Sequence, residues 1–430
     1  MLTRAARIHG AGKVQIDEIQ LPAITDDEVL LQVVTSSMCH STYKAATLGP
    51  QHKRVPDDVA DNPVMTGHEV GGIIVEVGAN LLAQYSVGQH VAIQPAMGLP
   101  TGESPGYSYP YYGGDATYTI IPKIAIDKGS ILPYASDYFA NASLAEPMMC
   151  IVGAFHANYH TRDLEYVHDM GIKKDGRLAL LGAGGPMGIG AVEYAIERAG
   201  GPKLVVATDV DQARLDRLAE LIPPSRAHEL GVDLVYLNTA GDDAVSQLLD
   251  LTGHEGFDDV FVFVPSRAVL EQADEIMGTD GCLNFFAGPT DKEFKASFNF
   301  YKVHYERTHV VGTSGGNSDD MRECLEMSAA GKLNPSMMVT HIGGLDAVPA
   351  TILGLPDLPG GKKLIYPHIS LPLTAIEDFR ELGVDDALFA ELADLCDQQG
   401  GLWNADAEKA LRRALDPTMK TGTDRAESRC

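Results

Sequence analysis

Cys39 and His68 carry the first chemistry that the chain offers. Cys39 stands at the end of a predicted strand and is followed by His40 and Ser41, while His68 stands in a separate Gly67-His68-Glu69 segment. A thiolate and an imidazole together suit zinc, and a catalytic zinc takes three protein ligands and keeps a fourth position open. Further on, Ser143-Leu144-Ala145-Glu146-Pro147 brings a carboxylate to the start of a predicted helix. Taken singly, Cys39 would read as a small buried hydrophobe and His68 as a hydrogen-bonded loop histidine. Their setting, on two separate loops of a β-barrel-like stretch with the Glu146 carboxylate further on, favours the metal.

A second constellation spans 178–211. An apolar strand, a glycine-rich turn, a helix with Ala191, Val192, Ala195, Ile196 and Ala199 at helical spacing, and a second strand ending at Asp209 follow one another. Such a turn lets backbone N–H groups and the positive end of a helix meet a pyrophosphate. Read from Gly182, the third glycine of the fingerprint falls on Met187. Read from Ala183, Gly185 and Gly188 are in place and Pro186 enters the first helical turn, where its missing N–H does no harm. The second register is preferred. Asp209 lies 21 residues past Gly188, where a carboxylate can accept a ribose 2′-OH and repel a 2′-phosphate, so the site favours NAD. Arg214 could pair with that phosphate and leaves NADP open.

These groups need two kinds of support. Predicted strands at 5–9, 14–19 and 28–35, then 73–77 and 90–94, give a β-rich opening that presents Cys39 and His68 on loops. After 211, strands at 234–237, 260–264, 282–287 and 309–312 alternate with helices from Asp243, from Ser266 and over 318–331, the last capped by 318–320, which predicts a doubly wound sheet. Val264 and Thr313, with Phe263 and Ala287, lie at strand carboxyl ends and are expected near a nicotinamide ring. His156 and His160 stand at helical i, i+4 spacing. No glutamate follows either, so helix packing is the reading.

With 430 residues, 45% of them hydrophobic, the chain holds about two domains. A net charge of −26 argues against nucleic acid or anionic membrane as partners. Six scattered cysteines without C-x-x-C spacing do not form a disulfide framework, and no long apolar run or signal core exists, so a cytoplasmic location is expected.

Cys39, Gly67-His68-Glu69, 87–91, Gly113-Gly114-Asp115-Ala116, Ala145-Glu146-Pro147 and the glycine turn, in that order, resemble the zinc-dependent medium-chain alcohol and polyol dehydrogenases over about residues 1–370. The resemblance implies an α/β chain, a GroES-like β-barrel catalytic domain joined to a doubly wound Rossmann nucleotide-binding domain. It implies zinc ligands at Cys39 and His68, with Glu69 and Glu146 at the two acidic positions, and Ser41 as the hydroxyl that takes the substrate proton. Lys362, in 360–365, would reach the cofactor phosphate. Lys44 stands where many relatives carry a relay histidine. The expected division is 1–150 and 336–416 for the catalytic domain, the latter with extra C-terminal helices, 151–335 for the nucleotide domain, and a disordered tail at 417–430. A homo-oligomer, dimer or tetramer, is implied.

The chain departs from the family in one clear respect. Residues 91–149 lack the four cysteines of a second, structural zinc and instead carry a Gly-, Pro- and Tyr-rich loop at 100–112, read as surface packing. The substrate implied is a polyol/ketose pair, with features at 113–118, 284–290, 312–317 and 401–403 resembling an L-sorbose-1-phosphate reductase group. A phosphorylated substrate would need a local cation against the overall negative charge: Lys44 first, Lys53 and Arg54 as alternatives. The rivals are a zinc-free quinone or enoyl reductase on the same scaffold and a non-catalytic NAD-binding protein.

Overall fold

The computed structural model describes residues 1–420. It divides into two compact units: Met1–Glu146 together with the chain from Asn334 onward, and Pro147–Leu333. The borders fall a few residues before those expected at 150 and 335.

The first unit is built on a sheet whose central strand, Val29–Ser37, is buried on both faces, as its run of β-branched and aliphatic residues requires. It pairs antiparallel with Glu69–Val77 on one side and with Lys362–Tyr366 on the other. The sheet continues through His90–Ile93 to Ile131–Pro133, and beyond Lys362–Tyr366 through Val339–Gly344. A small antiparallel sheet has Leu2–Ile8 at its centre, with Val14–Gln20 on one side and Val64–Met65 on the other. The expected opening strands are all present, and the one expected at 73–77 begins earlier, at Glu69.

The second unit contains a six-stranded, all-parallel sheet in the order Asp233–Asn238, Leu204–Asp209, Arg177–Leu181, Phe257–Val262, Met277–Phe285, His309–Val311. In sequence order this is 3-2-1-4-5-6, the doubly wound arrangement whose reversal lies beside the first strand. Phe257, Val260, Val262, Leu270, Ala273, Ile276 and Leu283 form one buried cluster between strands and helices.

Several local expectations are corrected. Glu146 does not begin a helix but stands inside the 19-residue helix Phe139–Ala157. That helix ends before His160, which lies on strand Tyr159–Thr161 and so shares no helix face with His156. His156 bonds Asp320 (2.8 Å) and His160 meets Asp259 (3.3 Å). The helix Ser318–Ala329 is capped by Asn317 in a reciprocal box with Asp320, not by Ser318. Residues 417–420 form a short 3-10 turn, and the remainder of the expected tail lies outside the described residues.

The C-terminal segment supplies helices Ala387–Asp397 and Ala405–Leu415. Trp403 between them is buried and donates Nε1–H to Tyr366 Oη (2.7 Å). The segment is therefore packed into the first unit and is no appendage.

Candidate active site

Strand Val29–Ser37 delivers Cys39 to the N-terminus of helix His40–Leu48, and Gly67 delivers His68 and Glu69 to the start of strand Glu69–Val77. Ligand atoms of Cys39, His68 and Glu69 all lie within 4.8 Å of one another. His68 Nδ1 faces Thr42 Oγ1 (3.3 Å), which turns Nε2 toward Ser41 Oγ (3.4 Å). Such outer hydrogen bonds fix the ring of a metal-ligating histidine. Ser41 donates to Cys39 Sγ (2.9 Å). A thiolate, an imidazole and a carboxylate are the donor set that zinc takes, so these residues fit that ion.

The electrostatics are those of a crowded anionic site. Burial, and then the Glu69 carboxylate, push the Cys39 thiol above its usual range. Burial pushes Glu146 up to about 8, with Glu69 and Cys39 adding to the shift and His68 opposing it. A bound dication supplies the charge that reverses this logic. Glu146 is thus electrostatically joined to the cluster, although its carboxylate is not one of the three most tightly grouped ligands.

Glu69 is fully buried and already engaged: it accepts from Ser37 Oγ and from Lys362 Nζ (2.5 Å). Lys362 also donates to the Met38 carbonyl (3.3 Å) and is 6% exposed. Burial, the largest single influence, would lower its pKa, but Glu69, Cys39 and Glu146 together outweigh it and hold the ammonium charged. This corrects the expectation of a cation turned to the cofactor phosphate: Lys362 is the counter-ion of Glu69.

The loop at 100–112 corrects a second expectation. Gly106 adopts φ +77°, and a Cβ there would stand 2.4 Å from the Gly67 carbonyl oxygen, so only glycine lets this loop press against the turn that carries His68. The next residue, Tyr107, is 1% exposed, donates Oη–H to Ser41 Oγ (2.8 Å) and lies 3.5 Å from His68 Nε2. Its ring is 5.1 Å from His68 and stacks on His52 at 5.7 Å. Lys44 is half-buried on helix His40–Leu48, close enough to help lower the pKa values of His40 and His52, though burial is the larger cause for both.

In the second unit the glycine turn follows the register that starts at Ala183. The helix begins at Pro186, with Gly185 before it making no side-chain cap, and Met187 lies in the first turn. A Cβ on Gly188 would fall 2.1 Å from the Ala183 carbonyl oxygen, so the helix packs against the strand end only as glycine allows. Space beside Gly185 is open. Asp209, at the end of its strand, accepts the Gly184 N–H (2.9 Å) and the Asp211 N–H (3.1 Å). Arg214 lies over Gly184 and faces Asp211 (3.5 Å). Val264 packs against Gly182, and Thr313 is half-buried just past strand His309–Val311. An uncapped helix N-terminus, an open glycine and a carboxylate beside the turn fit a dinucleotide.

Known proteins share both halves. The alcohol dehydrogenase GroES-like domain matches residues 25–128, and the zinc-binding dehydrogenase domain matches residues 186–330. The chain is 56% identical to mannitol-1-phosphate 5-dehydrogenase of Aliivibrio fischeri, over 97% of this chain and 99% of that one. It is 41% identical to L-sorbose 1-phosphate reductase of Klebsiella pneumoniae, over 95% and 97%. The crystal structure of galactitol-1-phosphate dehydrogenase from Escherichia coli, at 18% identity, superposes with a TM-score of 0.65 over 85% of this chain and all of that one, a likeness of fold. With this order of motifs, a GroES-like unit bearing a Cys-His-Glu cluster and a Rossmann unit bearing the glycine turn, the chain belongs to the zinc-dependent alcohol and polyol dehydrogenase family.

Proposed function

We propose that the chain interconverts a polyol phosphate and the matching ketose phosphate by hydride exchange with a nicotinamide cofactor, at a single zinc. The grouping of Cys39, His68 and Glu69 within 4.8 Å carries the reading. Full-length identity to two enzymes named for hexitol or ketose phosphates supports the substrate class. Cys39 and His68 would hold the metal, with Glu69 or Glu146 completing the site. When bound, zinc supplies Lewis-acid polarisation of the reacting oxygen, and the nicotinamide gives or takes the hydride.

The residues of the chain then handle orientation and the proton. Thr42 fixes the His68 ring. Ser41 is positioned to relay the alcohol proton in oxidation, releasing its own proton toward solvent as it takes the substrate's, and to run the relay in reverse in reduction. Because Tyr107 donates into Ser41 Oγ, the Ser41 proton is directed to the Cys39 side of the site. Lys44 adds positive charge nearby. Asp209 favours NAD over NADP by accepting the ribose 2′-OH, with Ala183, Gly185, Pro186, Met187 and Gly188 at the pyrophosphate, Val264 and Thr313 toward the nicotinamide, and Arg214 leaving partial NADP use open. No helix among the described residues is long and apolar enough to cross a membrane. A cytoplasmic homo-oligomer belongs to the same proposal.

Absorbance at the reduced-nicotinamide band, followed with hexitol phosphates, ketose phosphates and their unphosphorylated counterparts and with both cofactors, tests this. Elemental analysis accompanies it. About one zinc per chain, lost together with activity in Cys39→Ala, is expected; turnover of no polyol phosphate, or full turnover without metal, overturns it.

A further inference from the structure

The segment 52–54 places cations beside the metal cluster in a chain of net charge −26. The Arg54 guanidinium stands over the Tyr107 ring, 5.2 Å from its centroid. Among the described residues no carboxylate lies within 4.0 Å of Arg54 or of its neighbour Lys53. An arginine that is half-buried, beside a site rich in carboxylates, and still without an acidic partner is unusual in so acidic a protein.

Its position is fixed from several sides. The Arg54 carbonyl accepts Ser108 Oγ–H (2.7 Å), and the Arg54 N–H donates to His52 Nδ1 (3.3 Å). Val55 is buried in one cluster with Tyr107. The two loops that carry Arg54 and Tyr107 are therefore fastened together, and the guanidinium is preorganised. Because His52 Nδ1 is the acceptor, its Nε2 carries the proton and is a neutral donor. Burial, then Arg54, Lys53 and Lys44, hold the pKa of His52 down to about 4, so all three cations act on this ring. Tyr107 connects this group to the reacting centre through its bond to Ser41.

We propose that Arg54, held on Tyr107, is the anchor for the phosphate monoester of the substrate, with Lys53 and the His52 Nε2–H beside it. The assignment rests on the polyol-phosphate reading above and moves the phosphate contact from Lys44 on the helix to the 52–54 loop. A guanidinium offers a planar fork that pairs two phosphate oxygens at once, whereas the lysines act as point charges. At long range the chain repels a dianion, so capture depends on a local positive field of this kind. The same chemistry could serve the 2′-phosphate of NADPH, and the experiment separates the two.

Arg54→Met and Arg54→Lys are compared with the unaltered enzyme on a hexitol phosphate and the free hexitol, with zinc content and thermal melting as controls of the fold. For Arg54→Met, kcat/KM on the phosphate ester is expected to fall by about 10- to 100-fold, the range of a charge-assisted bond, with little change on the free hexitol. Arg54→Lys should fall in between, and carries the comparison alone if the methionine variant loses its melting transition. KM for NADH and NADPH should not move. Equal losses on both substrates, no loss on either, or a loss confined to NADPH overturns the assignment. If the unaltered enzyme turns over no polyol phosphate, the oxidoreductase reading has failed. The anchor is then read from inorganic phosphate alone: it should raise the melting temperature of the unaltered protein but not of Arg54→Met, and an equal rise in both refutes it.

Discussion

Glu408 accepts the backbone N–H groups of Phe139 (2.7 Å) and Ala140 (2.9 Å), and so caps the helix that carries Glu146. Its second oxygen also accepts Tyr366 Oη–H (2.9 Å). A residue of the C-terminal segment thereby fixes the start of the helix that brings Glu146 to the Cys39, His68 and Glu69 cluster. Glu408→Ala leaves those donors buried without a partner and should cost about 1–3 kcal/mol, read as a lowered denaturation midpoint. Glu408→Gln keeps an acceptor and should cost less. Equal stability of the alanine variant and the unaltered protein would remove the cap from the account.

The same residue gives a pH dependence of known sign. Burial pushes the Glu408 carboxyl from 4.5 up to about 7, against the pull of Phe139, Arg412 and Ala140. The folded state thus binds a proton more tightly than the unfolded one. This contribution to stability is complete below about pH 4.5 and is lost as pH rises through about 7. Denaturant unfolding at pH 5 and pH 8 should show the unaltered protein losing up to about 3 kcal/mol relative to Glu408→Gln over that interval. A constant difference between the two would contradict the shift.

Asp209 accepts the Gly184 and Asp211 N–H groups, so it shapes the glycine turn in addition to the ribose contact proposed for it. Asp209→Ala should weaken NADH use by about 1.5–3 kcal/mol and relieve the exclusion of NADPH. Initial rates with both cofactors check this. A strong preference for NADPH in the unaltered enzyme would show that Asp209 has been given the wrong role.

Lys362→Met removes the ammonium from Glu69 and leaves a buried, uncompensated carboxylate. Breaking such a pair from one side costs about 3–5 kcal/mol. Stability and zinc retention should therefore suffer while KM for NADH stays put. A selective rise in that KM would restore Lys362 to the cofactor phosphate.

What the sequence disclosed follows from how local each constraint is. The glycine turn was legible because Gly185, Pro186 and Gly188 act within one strand-turn-helix unit, and the parallel sheet because its strands alternate regularly with helices. Cys39 and His68 could be singled out by ligand type, though only the fold brings them together. Lys362 was misread because its partner Glu69 stands 293 residues away, and no periodicity reports such a pair. Tyr107 was passed over because a Gly-, Pro- and Tyr-rich loop has no pattern that separates packing from chemistry. Its one signal was Gly106, a glycine placed where the chain must approach His68's turn closely. His160 was put on a helix because spacing alone cannot reveal that the helix stops at Ala157.

The split of the first unit has a consequence for how the protein is made. Synthesis delivers Cys39, His68 and Glu69 early, then the whole of Pro147–Leu333 as an uninterrupted piece, and only afterwards the strand bearing Lys362. The nucleotide unit can close on the ribosome while the sheet that frames the metal site still lacks the partner of Val29–Ser37. Until residue 362 emerges, Glu69 has no counter-ion, and until residue 408 emerges the helix of Glu146 has no cap. Completion of the Cys39, His68 and Glu69 cluster is thus postponed to the end of translation, and a nascent chain stalled before that point would carry a folded nucleotide unit and an unfinished cluster.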